Sequence, residues 1–149
     1  MQISIEPIGY VANNIDSPVD SGWGQIESRI VLKEELASTL LGLGDFSHLI
    51  IVFWMYQAEY PSILQRRPQN RHDMPEVGLF AQRSKHRPNP IGITTVPVIK
   101  IIGHEIVVRG LDAIDTTPIL DIKPYYSQYD RPAGVRVPEW VNRLMAGYF

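Results

Sequence analysis

The stretch Phe46-Ser47-His48-Leu49-Ile50-Ile51-Val52-Phe53-Trp54-Met55-Tyr56-Gln57 is apolar at most positions and rich in β-branched and aromatic residues. Such a run predicts a central strand that is buried on both faces and has neighbours on either side. Its longest apolar part, residues 49–56, is far shorter than the ~20 residues of a membrane-spanning helix. The sequence therefore predicts a soluble, β-rich protein built around this strand.

Further strands are predicted on both sides of this stretch. They are expected where apolar and polar residues alternate or short apolar runs occur, at residues 3–11, 26–32, 79–81, 93–102, 105–111 and 117–122. Leucines at helical spacing predict one short amphipathic helix at about residues 33–41, and Pro138 predicts the start of a closing helix. Because strands and helices do not alternate, we predict a mainly β fold: an antiparallel, partly closed sheet or barrel with one or two short helices.

Composition indicates a single domain over residues 1–149, with 44% hydrophobic and 20% charged residues. The absence of cysteine excludes disulfides and Cys-ligated metals, and the four histidines lack metal-binding spacing, so no metal is expected. The chain has neither a Gly-rich dinucleotide fingerprint nor a phosphate-binding loop. It also has no secretory signal, so we expect a cytoplasmic protein with no membrane partner.

Charge is distributed unevenly along a chain whose net charge is -2. Residues 60–87 carry six cationic side chains against two acidic ones, a local balance of +4 that leaves -6 on the remainder. A basic patch on an acidic body suits a polyanion held at one face or a small anionic ligand. A solvated surface loop would show the same pattern.

The segment from Gly78 to Gly92 combines cations with a proline-rich ending, Arg87-Pro88-Asn89-Pro90. The two prolines fix φ and push the residues before them towards extended conformations, so a stiff, irregular loop is predicted. Stiff loops with charged side chains are common at functional sites, although a plain surface turn would also fit.

A second polar stretch, residues 110–125, contains three aspartates followed by a lysine and a tyrosine. Asp121, Lys123 and Tyr125 would share one face of a strand, where a base, a cation and a phenol could act together. A capped turn followed by a polar strand face is the alternative.

Together these two motifs, Phe-Ala-x-Arg-Ser-x-x-Arg-Pro-Asn-Pro-Ile-Gly (80–92) and Thr-Pro-Ile-Leu-Asp-Ile-Lys-Pro-Tyr (117–125), resemble the TsaA-like (TrmO) family. The resemblance extends to residues 7–10 and 46–49. It implies a single-sheet β-barrel, a homodimer and S-adenosylmethionine (SAM) as methyl donor. The reaction it implies is methylation of the exocyclic nitrogen of N6-threonylcarbamoyladenosine, next to the anticodon of tRNA.

The chain departs from the family pattern in three ways. Lys85 replaces a usual proline, and Thr116 replaces a glycine that would easily take positive φ, so we expect a differently shaped loop there. We also expect this chain to lack the additional C-terminal domain of bacterial members, which would help to hold tRNA. The resemblance thus supports the methyl donor more directly than the acceptor.

The resemblance implies a set of residues that bind SAM. They are Phe80, Arg83, Ser84, Arg87, Asn89, Pro90, Asp112, Asp115, Thr117 and Leu120. Either arginine can form paired hydrogen bonds with the donor's carboxylate, and either aspartate can accept from its ribose diol or ammonium group. Backbone groups of the proline-rich loop can bind the adenine edge, and Phe80 or Tyr125 can face the sulfonium.

For the methyl acceptor we predict Asp121 as general base, Lys123 as the group that orients it or binds a substrate carboxylate, and Tyr125 as a hydrogen-bond partner. The residues predicted to contact tRNA phosphates are Arg66, Arg67 and Arg71. Trp23, Trp54 and Tyr56 are candidates for stacking a base, although for the last two a core position is favoured. Two other functions remain open: a methyltransferase acting on another small molecule or protein, and a non-enzymatic module that binds SAM or a nucleotide.

Overall fold

A computed structural model describes all residues 1–149. Six strands close into an antiparallel barrel in the order β1-β2-β7-β6-β3-β8, and the short strands β4 and β5 pair separately. The barrel strands are β1 (Gly9–Ala12), β2 (Glu27–Leu32), β3 (His48–Trp54), β6 (Ile91–Ile102), β7 (Glu105–Arg109) and β8 (Pro118–Pro124). The small pair consists of β4 (Gln65–Arg66) and β5 (Val77–Gly78). The predicted mainly β fold and single-sheet barrel are confirmed.

Residues 46–57 contain β3, which pairs with β6 on one side and β8 on the other. Its central position is confirmed, but the prediction that both faces are buried is wrong. Leu49, Ile51 and Phe53 point into the barrel at no more than 3% exposure, whereas Ile50 and Val52 on the outer face are only partly buried. A closed barrel explains the difference, because its interior takes alternate residues and nothing in the chain fully covers the outer wall.

The interior of the barrel is filled by twelve buried side chains, which come from all six barrel strands and from the loop after β7. They are Val11, Ile30, Leu32, Leu49, Ile51, Phe53, Val96, Ile106, Val108, Leu111, Ala113 and Ile119. β6 and β7 form the predicted hairpin, in which Gly103 takes φ 60° between the paired residues Ile102 and Glu105. The predicted period of two in these strands is therefore the pattern that fills the core.

Several predicted elements differ in the structure. The first strand is four residues long, and the predicted part at residues 3–8 is wrong, because Pro7 has no N–H to contribute and Ile3 and Ile5 remain exposed. The strand predicted at residues 79–81 is a 3₁₀ turn, Leu79–Ala81, closed by a hydrogen bond from the Gln82 N–H to the Leu79 carbonyl. The predicted helix at residues 33–41 is also of 3₁₀ type, Glu34–Leu40.

Helices are short and peripheral. The α-helices are α1 (Ser127–Asp130), which was not predicted, and α2 (Glu139–Met145), which follows Pro138 as expected. Single 3₁₀ turns occur at Trp23–Gln25, Leu43–Asp45 and Pro68–Asn70. None of the helices has the length and apolar character needed to cross a bilayer.

Candidate active site

A cavity of about 1140 Å³ lies at the end of the barrel where β3 stops and β6 and β8 begin. Its walls come from the ends of these strands and from several loops: residues 18–23, 56–58, 66–70, 82–89, 112–117 and the C-terminal residues 144–149. Antiparallel pairing brings these strand ends together, so the two sequence motifs, far apart in the chain, meet at one cavity.

The first motif forms the cationic wall of this cavity. Of its predicted donor-binding residues, Arg83, Ser84, Arg87 and Asn89 line the cavity. Arg83 donates to the Ile93 carbonyl, and Arg87 donates to the carbonyls of Gln82 and Ser84 at 3.3 Å each. The loop is therefore stiffened by its own guanidinium groups as well as by its prolines, and both guanidinium groups retain further N–H donors.

Two other residues of this motif lie away from the cavity. Phe80 is 81% exposed and does not line it. The guanidinium of Arg87 stands 5.9 Å from the centroid of the Phe80 ring, so this ring contacts a cation of the chain itself. Pro90 is buried beneath the loop, where its carbonyl accepts from the Met55 N–H.

The acidic wall is built around Asp112, which lines the cavity together with Thr117. One carboxylate oxygen of Asp112 accepts from the hydroxyl of Thr94, and the other accepts from the hydroxyl of Tyr148 at 2.7 Å. Asp112 thus faces the cationic wall with both oxygens held in place.

Asp115 and Leu120 are placed differently from Asp112. The Asp115 carboxylate accepts from the Asn13 N–H at 2.9 Å and lines a second cavity of about 570 Å³ on another side of the loop. Leu120 is partly buried and lines neither cavity. Asp112 is therefore the aspartate of this pair that the structure brings to the larger cavity.

The residue that follows Asp115, Thr116, has a strained backbone. It adopts φ 61° in place of a glycine, a conformation that β-branched residues rarely take. Its N–H donates to the Val11 carbonyl, and its hydroxyl lies 2.9 Å from the hydroxyl of Tyr56. Thr116 thus keeps the left-handed backbone that glycine would allow, so the expected change of loop shape does not arise from its φ angle.

The second motif continues into β8 with Asp121 and Lys123 on the outer face of the barrel. A bulge between the pairs Val52–Asp121 and Phe53–Ile119 produces this orientation. The Lys123 ammonium lies 2.7 Å from Asp121, and this hydrogen bond raises the pKa of Lys123. Both side chains remain about half exposed, at 47% for Asp121 and 63% for Lys123.

This ion pair lies beside the cavity but does not line it. Tyr125, at the end of the strand, does line it, and so does Ile50, the cross-strand partner of Lys123. The predicted alignment of the three polar residues is present, with the ion pair at the edge of the cavity.

The three arginines predicted to contact phosphates each have a partner within their own loop, and Arg66 also lines the cavity. Arg66 donates to Asn70 at 2.9 Å, and Arg67 donates to the carbonyls of His72 and Met74. Arg71 forms an ion pair with Asp73 at 2.7 Å, and this hydrogen bond raises the pKa of Arg71 and lowers that of Asp73. These contacts give a defined structure to a segment for which the sequence predicted only an irregular loop.

The aromatic stacking candidates also differ from expectation. Trp23 lines the cavity but is only 2% exposed and donates its indole N–H to the Val19 carbonyl, so it is a buried part of the cavity wall. Tyr56 is 41% exposed and lines the cavity, so the core position favoured for it is wrong. Trp54, on the outer face of β3, is partly buried.

Comparison with known proteins fits this arrangement. Residues 11–131 match the model of the tRNA-methyltransferase O N-terminal domain. The chain belongs to this family. It is 35% identical over 134 residues to a probable S-adenosyl-L-methionine-binding protein of Methanothermobacter thermautotrophicus, covering 87% of this chain and 95% of that one.

Longer proteins of the TrmO family are also similar. A tRNA (adenine(37)-N6)-methyltransferase of Mus musculus is 37% identical over 150 residues, which cover 95% of this chain and 35% of the mouse protein. The crystal structure of TrmO from Pseudomonas aeruginosa superposes with a TM-score of 0.74 at 29% identity, covering 91% of this chain and 61% of that one. The chain therefore spans about a third to three-fifths of these longer relatives.

Two residues of the site, Thr94 and Tyr148, were missed by sequence reasoning. Thr94 occupies a buried, inward position of β6, and a strand pattern can predict burial there but no role in a site. Tyr148 lies beyond the matched residues 11–131 and carries no motif. A buried hydroxyl opposite a motif aspartate can be recognised only once strand register and chain path are known.

Proposed function

We propose that this chain is a SAM-dependent methyltransferase that methylates the N6 position of an adenosine next to the anticodon of tRNA. The observation that carries the proposal is the cavity that Arg83, Arg87 and Asp112 line together, in a chain of the TrmO N-terminal domain family. As an acceptor, tRNA also implies a cytoplasmic enzyme.

The chemistry of the cavity suits SAM. SAM carries a carboxylate, an ammonium, a ribose diol and an adenine, and when bound it supplies the methyl group from its sulfonium. The two guanidinium groups offer donors for the carboxylate, and the Asp112 carboxylate offers acceptors for the diol or the ammonium. Phe53 and Met55 supply apolar surface, and Tyr125 is the predicted aromatic residue that reaches the cavity.

The finer part of the proposal is the acceptor, N6-threonylcarbamoyladenosine. Its N6 lone pair is drawn into the adjacent carbonyl, so loss of the N6 proton during attack assists transfer. We assign this proton to Asp121, which Lys123 orients through the 2.7 Å ion pair. Methyl transfer needs mainly alignment, which the stiff cationic loop and the hydrogen-bonded Asp112 would provide.

Conversion of SAM to S-adenosylhomocysteine in the presence of tRNA tests the proposal. We expect turnover with threonylcarbamoylated tRNA and none with tRNA lacking the modification. Asp121→Asn should lower turnover by about 100-fold or more at unchanged SAM affinity, whereas Asp16→Asn, at an exposed loop position, should have no effect. Full turnover by Asp121→Asn would show that Asp121 is not the base. Absence of turnover with every tRNA would show that tRNA is not the methyl acceptor.

The basic loop is the proposed contact for tRNA. Replacing Arg66, Arg67 and Arg71 by glutamine should weaken tRNA binding and flatten its salt dependence without changing SAM affinity. Because these side chains also hold the loop together, circular dichroism must first show that the variant is folded. An unchanged salt slope in a folded variant would exclude the loop from the tRNA site.

We also propose that the chain forms a homodimer through the outer face of β3 and β6. Ile93 and Ile91 are 49% and 39% exposed there, beside the outward residues Ile50 and Val52 of β3. Because Ile50, Ile91 and Ile93 also line the cavity, the proposed interface would border the SAM site. Ile93→Asp should convert the dimer to a monomer in size-exclusion chromatography with light scattering. Ile102→Asp, at the far end of β6, should leave it dimeric, and a monomeric wild type would contradict the proposal.

A non-enzymatic SAM-binding protein is the second candidate. It is favoured by the relatives of similar length that are named S-adenosyl-L-methionine-binding proteins. Calorimetric titration should give micromolar SAM binding in both cases, and turnover with tRNA would then separate the enzyme from the binding protein.

A further inference from the structure

The C-terminal residues 147–149 lie against the cavity and pair with the turn at residues 22–24. The Gly22 N–H donates to the Gly147 carbonyl at 3.3 Å, and the Trp23 N–H donates to the Tyr148 carbonyl at 3.1 Å. Gly24 makes room for this approach, because a Cβ at that position would overlap the backbone of Phe149. Residues 147–149 therefore pack closely against the turn at residues 22–24.

Helix α2 anchors the same segment to the basic loop. Arg143 donates to the Asp73 carbonyl at 3.1 Å, and Arg71 donates to the Arg143 carbonyl at 3.4 Å. Leu144, Met145, Tyr148 and Phe149 then line the cavity. A segment outside the family match at residues 11–131 therefore forms one wall of the candidate site.

Tyr148 connects this wall to Asp112. Its hydroxyl donates to one oxygen of the Asp112 carboxylate at 2.7 Å, while the hydroxyl of Thr94 donates to the other. A carboxylate has about four acceptor positions, so two donors fix its plane and leave two positions free for a ligand. Burial and the neighbouring Asp112 carboxylate raise the pKa of Tyr148, so its hydroxyl remains a donor at neutral pH.

We propose that Tyr148 is a positioning residue of the SAM site, which holds the Asp112 carboxylate in the orientation that accepts hydrogen bonds from the donor's ribose or ammonium group. This inference rests on the proposed SAM-binding function. It extends the site beyond the matched domain and makes the C-terminal segment a permanent wall of the cavity.

Calorimetric titration with S-adenosylhomocysteine, which keeps the donor's polar groups, tests the assignment. Tyr148→Phe retains the ring and removes only the hydroxyl, so we expect about tenfold weaker binding, the effect of losing one hydrogen bond to a charged group. Tyr129→Phe, at a side chain 85% exposed on α1, is the matched control and should bind as the wild type does.

Steady-state kinetics supply a readout that a purely structural role would not change. For Tyr148→Phe we expect KM for SAM to rise about tenfold while kcat at saturating SAM stays within about twofold of the wild type. Unchanged or tighter binding by Tyr148→Phe would overturn the inference, and tighter binding would mean that the segment competes with the donor. A wild type that binds neither ligand would overturn the proposed function and this inference together.

Hydrogen exchange on the wild type covers the case in which Tyr148→Phe fails to fold. If residues 144–149 form a wall of the site, S-adenosylhomocysteine should slow exchange of their amides and of the Gly22 and Trp23 amides. Faster exchange of these amides on binding would show that the segment leaves the cavity, which would overturn the inference.

Discussion

The barrel and the segments that enclose its cavity are held together by different forces. Inside the barrel, twelve apolar side chains are buried to 5% exposure or less, and strand pairing satisfies the backbone. The outer segments, residues 57–90 and 139–149, bury only a few apolar side chains, such as Met74 and Leu79. They also depend on directed contacts from the side chains of Arg67, Arg71, Arg143 and Gln82. Apolar burial tolerates modest changes in side-chain shape, whereas each polar contact requires one geometry. Single substitutions can therefore loosen the outer segments while the barrel stays folded.

The largest effect is expected inside the barrel. Ile51→Ala removes a side chain with 0% exposure and should lower the free energy of unfolding by about 3 kcal/mol. Ile102→Ala, at 60% exposure on β6, should change it by no more than about 0.5 kcal/mol. Urea denaturation measures both, and equal losses would contradict the contrast between the two regions.

A smaller and local effect is expected at Gly24. Gly24→Ala should displace residues 147–149, so the Gly22 and Trp23 amides should exchange at least about tenfold faster, equivalent to about 1.4 kcal/mol of local stability. Gly78→Ala is the control, because Gly78 has φ -63° and open space around its Cα. A fall in the urea midpoint for Gly24→Ala as large as for Ile51→Ala would show that the segment and the barrel unfold as one unit.

The strained loop provides an intermediate case, since Thr116 joins barrel and cavity. Thr116→Ala retains the left-handed strain and loses the contact with Tyr56, whereas Thr116→Gly loses both. The glycine variant should therefore be more stable than the alanine variant by about 1 kcal/mol in urea denaturation. Equal stability of the two variants would mean that this loop stores no strain.

The smallest effect is a pH dependence of stability that appears only in alkali. The pKa of Tyr148 is raised in the folded protein, by burial first and by Asp112 second. Its contribution to stability is present below the unfolded value of about 10 and is lost as pH rises towards the folded value. Spectrophotometric titration should show one late-ionising tyrosine among the seven, absent from Tyr148→Phe. Simultaneous ionisation of all seven in the wild type would contradict the raised pKa.

Much of the barrel could be predicted from the sequence, because alternation is a local signal. Residues 26–32 alternate apolar and polar residues, whereas residues 93–102 and 105–111 contain short β-branched apolar runs. Each of the three stretches matches an observed strand to within two residues at either end. The predictions failed where a single residue or a very short stretch determines the local structure. Pro7 delays the start of the first strand to Gly9, and Leu79 is buried by a 3₁₀ turn in a stretch too short to show its period.

The site was predicted less completely, because chemical type does not specify direction. Asp112 and Asp115 are equivalent in sequence, yet they face different cavities. Arg66, Arg67 and Arg71 appear as free cations in the sequence, yet the structure gives each a partner within its own loop.

The sequence by itself determined the β class, the central strand and the two motifs that identify the family, since periodicity and motif residues are properties of neighbouring positions. Tertiary structure alone decided that Asp121 and Lys123 face outwards and that Tyr148 meets Asp112. The first outcome depends on a bulge and the second on a contact between residues 36 positions apart. Such contacts follow from strand register and chain path, which arise only when the whole barrel closes.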